Sequence, residues 1–140
     1  MSRVLRRVAA AALLVTAVAP VSGAHASGGL PVVGLIDTGV SAGHQEFAPG
    51  QLVGFWDFSR DGGTHTPSAG QSFDPAVSPY DPIGHGTLTS SMAVGRNLSA
   101  QKTPSFAPGY PFAMAKVLDD GGALVGSIGA AIRWEVDTVG

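Results

Sequence analysis

At 140 residues the chain has room for one domain, or part of one. With 44% hydrophobic and 13% charged residues it is too apolar and too weakly charged for charge-driven disorder, while 20 glycines and 10 prolines point to loops and close backbone approaches. A formal charge of −2 leaves no basic footprint for nucleic acid, and the absence of cysteine excludes disulfides, thiolate metal sites and cysteine nucleophiles.

Residues 1–26 read as a secretory signal peptide. Arg3, Arg6 and Arg7 form a basic n-region, and Val8 to Ala19 is an apolar run of 12 residues. That run falls short of the roughly 18 apolar residues needed to span a bilayer. Ala24-His25-Ala26 places small residues where a signal peptidase requires them, so cleavage is expected after Ala26. Removing 26 of the 140 residues and three of the eight basic side chains leaves 114 residues with a formal charge of −5. The expected product is secreted and mildly acidic, with no membrane span once the signal is gone.

The rest alternates between strand and helix patterns. Leu30 to Ile36 (LPVVGLI) is apolar at every position rather than every second one, which predicts a parallel strand covered on both faces. Leu52 to Phe58 (LVGFWDF) predicts a second strand, and residues 59–84 a long Gly/Pro/Ser/Asp connection. His85 to Arg96 predicts a helix, residues 97–111 a Pro-rich loop, and Phe112 to Leu118 (FAMAKVL) a third buried strand. Asp119-Asp120-Gly121-Gly122 is a turn, followed by a helix from Leu124 to Val136 with Leu124, Ile128, Ala131 and Ile132 on its apolar face. The pattern is α/β with a parallel sheet, in which ligands and catalytic groups gather at the carboxyl ends of the strands.

Two side chains stand out on that framework. Asp37 closes the first strand at Asp37-Thr38-Gly39, where turn N–H groups can hold a carboxylate at the sheet edge. His85 lies between Gly84 and Gly86 in Asp81-Pro82-Ile83-Gly84-His85-Gly86-Thr87, and the flanking glycines leave space for another chain or a ligand. At a helix start the macrodipole disfavours an imidazolium, so a carboxylate is needed beside His85, and Asp37 is the natural candidate. Asp81 is placed to cap the loop or the helix start.

In order and context, three segments resemble the subtilisin-like serine peptidases (subtilases). VVGLIDTGV is similar to the family's catalytic-Asp strand, with His44 and Phe47 where its H-x-x-L/F tail falls. DPIGHGTLTSSMAVG is similar to the catalytic-His helix, and APGYPFAMAKVLDDGGALVGSIGAAIRW to the A-P-x-A…K-V-L strand with its following helix. The likeness runs from about Val32 to Trp134 and implies the first half of a doubly wound parallel sheet, with residues 27–140 forming the N-terminal portion of a peptidase domain. By position, Asp37 would orient and stabilise an imidazolium and His85 would act as general base and then acid. The implied substrates are polypeptides, and no cofactor is expected for the chemistry. Glu46 stands where many members place an acidic calcium ligand, but one carboxylate does not make a calcium site.

Leu88 departs from the family, which often has His there, and Ser90-Ser91 replaces a common Ala-Gly. The family's nucleophilic serine and oxyanion-hole asparagine fall beyond Gly140. Ser90, Ser91 and Ser127 are not expected to substitute, so the chain as it stands is expected to be inactive, and 27–140 alone to fold poorly or need a partner. Two other classes fit parts of the sequence. A secreted non-catalytic remnant would bind peptides or a partner through an open sheet edge. A homodimeric aspartic peptidase would use the Asp-Thr-Gly triplet at Asp37, leaving His85 and the Lys116 strand unexplained.

Overall fold

The computed structural model describes residues 29–98, 104–119, 122–123 and 125–139. The expected signal peptide at 1–26 lies outside the described residues, as does Leu124. The three apolar runs form one parallel sheet from β1 (Val33–Asp37), β2 (Leu52–Asp57) and β3 (Phe112–Lys116), in the order β1-β3-β2. All five residues of β3 are buried, as a central strand covered on both faces requires. Helix α1 runs from His85 to Val94, ending two residues before the predicted Arg96. Beyond β3, β4 (Leu118–Asp119) and β5 (Gly122–Ala123) form a short antiparallel hairpin. Helix α2 (Val125–Trp134) follows and opens into a π-helical turn, Glu135–Val139.

Each face of the sheet has its own core. On one, Trp56, Phe58, Ala113, Ala115 and Val117 pack with Ala131, Trp134 and Val139. On the other, Phe55, Phe112 and Met114 pack with Val40, Phe47 and Val94. The alternation of Ala113 and Ala115 against Phe112 and Met114 is the period-2 geometry of a strand displayed on two faces. Helix α1 presents Gly86, Ser90 and Val94 as its buried stripe, four residues apart, together with Ser91. Its close approach to the sheet depends on small side chains, and that explains why this helix has no conventional apolar face.

The face of α2 differs from the sequence expectation. Ala131 is buried, but Ile128 and Ile132 are 38% and 51% exposed. The buried positions are instead Ser127, Ala131 and Trp134. Trp134 sets this rotation by meeting Phe58 edge-on, with its indole N–H donating to the Gln71 carbonyl, while the Ser127 hydroxyl donates to the Phe58 carbonyl. Burying one large ring outweighs burying two smaller side chains one position along.

Candidate active site

Because the strands are parallel, their last residues fall in one row: Asp37 of β1 and Asp57 of β2 both pair in register with Lys116 of β3. All three lie at the carboxyl end of the sheet and all three are buried. Lys116 donates to the Leu118 carbonyl and sits 5.5 Å from the centre of the Tyr80 ring. Asp57 accepts from the Ser59 N–H and hydroxyl and from the Tyr80 hydroxyl. Burial, and then the Asp57 carboxylate, push the Tyr80 phenol up to about 12, so it remains a donor at neutral pH.

The two residues singled out from sequence meet at this edge. His85, the first residue of α1, places Nδ1 2.8 Å from Oδ1 and 3.0 Å from Oδ2 of Asp37. The Asp37 side chain is 12% exposed and that of His85 60% exposed, so a covered carboxylate holds a ring that faces solvent. Nε2 of His85 makes no hydrogen bond among the described residues. Asp37 also accepts the Thr38 N–H at 2.6 Å and the Thr89 hydroxyl at 3.0 Å. Burial acts to raise the Asp37 value, but His85, the Thr38 N–H and the Thr89 hydroxyl together outweigh it and hold the carboxyl below its usual range. The same hydrogen bond, then the Asp37 charge, raise His85 above the ordinary imidazole value, with a smaller contribution from Asp81.

The backbone brings the end of β1 against the start of α1. A Cβ added to Gly86 would lie 2.1 Å from the Gly39 carbonyl oxygen. One added to Gly39, at φ +118°, would lie 2.1 Å from the Tyr80 oxygen. No other residue type fits either position undisturbed, which gives the glycine after His85 a specific steric role. The Thr38 hydroxyl accepts the Gly86 N–H at 2.8 Å and donates to Asp81 at 2.8 Å, tying strand end, helix start and preceding loop together.

Asp81 performs the capping expected of it, from four residues before the helix. Its carboxylate accepts the Gly84 N–H, the Thr87 N–H and the hydroxyls of Thr38 and Thr87 at 2.6–2.8 Å. Burial opposes its ionisation, yet these donors, led by Thr87, hold it below the usual carboxylate range. Gly84 precedes the helix at φ +85° and, having no side chain, offers no cap of its own, so the loop supplies one instead.

The helical serines are committed elsewhere. Ser90, Ser91 and Ser127 are buried, and their hydroxyls donate to the carbonyls of Gly86, Leu88 and Phe58. None of these three is available beside Nε2 of His85. Glu46 is buried and accepts the Leu98 N–H at 3.3 Å. Among the described residues no group of three or more His, Asp or Glu side chains is arranged to hold a metal ion, and no helix is long and apolar enough to cross a membrane.

Sequence reading missed Thr89 and the Asp37–Lys116–Asp57 row. A signal for Thr89 was present: it lies four residues after His85, on the same helical face, where an interior threonine is poorly favoured unless its hydroxyl has a partner. No protein-family model matches the chain, and no solved structure matches it.

Proposed function

We propose that this chain carries the aspartate and histidine of a secreted subtilisin-like serine endopeptidase, acting on polypeptides by proton transfer through His85. The observation that carries this reading is the pairing of His85 Nδ1 with the covered Asp37 carboxylate, on a ring that is 60% exposed and whose Nε2 has no hydrogen-bond partner among the described residues. A ring so held is fixed in one tautomer, with Nδ1 protonated and Nε2 free to accept. A nucleophile's hydroxyl proton would pass to Nε2, the Asp37 charge would stabilise the imidazolium, and His85 would then return the proton to the leaving amine. Asp37 stays ionised throughout, as its lowered proton affinity requires.

The reading needs a serine nucleophile that Ser90, Ser91 and Ser127 do not supply. It also extends the three-stranded sheet to the subtilisin-like fold on the strength of the three sequence segments in order. The carboxylate-only alternative is less favoured, because both Asp37 oxygens already accept hydrogen bonds from His85, Thr38 and Thr89. The test is peptide hydrolysis by the full natural product secreted from its host. Activity that a fluorophosphonate blocks and His85→Ala abolishes is expected; a product that neither hydrolyses peptides nor takes the label overturns the proposal.

A further inference from the structure

We propose that Thr89 is a positioning residue whose hydroxyl, by holding Oδ2 of Asp37, competes with the His85 ring for the carboxylate and so sets how strongly Asp37 draws a proton onto the imidazole. Three donors converge on this carboxylate, one from the strand end and two from helix α1. The Thr38 N–H reaches Oδ1 from the end of β1, His85 Nδ1 reaches both oxygens from the first residue of α1, and the Thr89 hydroxyl reaches Oδ2 from one turn further along. His85 shares Oδ1 with the Thr38 N–H and Oδ2 with the Thr89 hydroxyl.

Thr89 has one proton and two acceptors for it. Its oxygen is 3.0 Å from Asp37 Oδ2 and 3.1 Å from the Gly86 carbonyl oxygen, the ordinary i−3 partner of a helical threonine. The hydroxyl can therefore turn towards the carboxylate or back onto its own helix without moving the chain. Donation to Oδ2 stabilises the carboxylate most when its charge is unshared, that is, when His85 is neutral. Once His85 is protonated it draws on the same charge, and the Thr89 bond weakens. Thr89 thus favours the neutral imidazole, opposing the carboxylate's own effect, and tempers the base that Asp37 creates. The other charged group acting on His85 is Asp81, whose field also favours protonated His85; Lys116, in register with Asp37 on β3, turns its ammonium to the Leu118 carbonyl and the Tyr80 ring. Neither is altered by a change at Thr89.

As a statement about catalysis this rests on the peptidase reading, but the coupling itself is measurable without turnover. The experiment is a pH titration of the His85 ring nitrogens by NMR in the full chain, comparing Thr89→Val, Thr89→Ser, Asp37→Asn and the double variant Thr89→Val/Asp37→Asn. Valine keeps the branched shape and removes the hydroxyl, so the His85 midpoint is expected to rise by about half a pH unit, the scale of one ordinary hydrogen bond. Serine restores the hydroxyl and the original midpoint. Adding Thr89→Val to Asp37→Asn should move nothing further, since the carboxylate that transmits the effect is gone. Should valine misfold, Thr89→Ala gives the same comparison. A midpoint unmoved by either hydroxyl-deleting variant, or moved equally by serine, overturns the inference. Loss of the peptidase reading would show instead as absent peptide hydrolysis with the titration shift intact.

Discussion

Replacing Gly86 with alanine sets two physical effects of opposite sign against each other. Helix propensity alone favours alanine over an interior glycine by about 1 kcal/mol. The geometry opposes it, because the new methyl would stand 2.1 Å from the Gly39 carbonyl oxygen, 3.0 Å from its nitrogen and 3.1 Å from its carbonyl carbon. All three are backbone atoms, so no side chain can swing aside, and relief requires strand end and helix start to part by about 1 Å or more. The Gly86 N–H bond to Thr38 and the His85 bond to Asp37, both 2.8 Å, cross that gap and would stretch with it. Overpacking of about 1–3 kcal/mol, with about 1 kcal/mol for the weakened Gly86–Thr38 bond and the propensity gain set against them, gives a net loss of about 1–3 kcal/mol. Urea unfolding measures this as a lower midpoint at unchanged slope, and an NMR titration should find His85 returned towards its ordinary value. Gly84→Ala is the comparison: its added methyl meets nothing within 4 Å, and only the φ of +85° opposes it, at about 1 kcal/mol. A Gly86→Ala protein as stable as the parent, with His85 unmoved, would refute the argument that this glycine is there for the approach of strand and helix.

Asp37→Asn should lower the His85 midpoint, because the hydrogen bond and charge that raise it both go; a midpoint that stays or rises contradicts the assigned cause. Asp81→Ala should cost about 2 kcal/mol at neutral pH from the lost helix-start cap, read by urea unfolding. Its folded value lies below the ordinary 3.8, so the contribution is present above that pH and fades as pH falls through the lower folded value, where parent and variant should converge. Glu135 shows the opposite sign. Its carboxylate lies over Gly34 beside a cavity of about 370 Å³, with Oε1 buried and unpartnered, and burial raises it from 4.5 to about 7 despite the N–H groups of Leu35 and Ala115. Because the folded value exceeds the unfolded one, stability is complete below about 4.5 and declines as pH rises through about 7, by about 2 kcal/mol after allowing for partial exposure. Glu135→Gln should abolish that slope in unfolding experiments from pH 4 to 8; a parental slope in the variant would assign it to another group.

What could be read from the sequence depended on what kind of residue carried each feature. The three strands were legible because runs such as FAMAKVL are apolar without alternation, and Asp37 and His85 because a strand-ending acid and a glycine-bracketed histidine are uncommon. Helix α1 could be placed but its inner face could not, since Gly86, Ser90 and Ser91 give no apolar period. The face of α2 was misjudged because sequence periodicity weighed Ile128 and Ile132 without knowing that Trp134 would dock between Phe58 and the 71 carbonyl. The π-helical turn that returns Glu135 to the sheet had no sequence signal, and neither did the meeting of Asp37, Lys116 and Asp57, which depends on register across strands distant in the chain.

The strand order carries a consequence for how the protein comes into being. β1 and β2 are made first, but neither is the other's neighbour; the strand between them is β3, which leaves the ribosome later, while β2 also meets the 72–74 segment through a bridge from Phe55 to Phe73. Until Phe112–Lys116 arrives, β1 lacks its strand partner in the sheet and β2 has only the Phe55 bonds to Ser72 and Asp74, and closing the long intervening segments must precede any gain from pairing. The carboxylate of Asp37 therefore gains its fixed position at the sheet edge only after β3 is made, so the pairing of Asp37 with His85 depends on a strand that contributes neither residue. In the interval β1 and the open edge of β2 are exposed to intermolecular association.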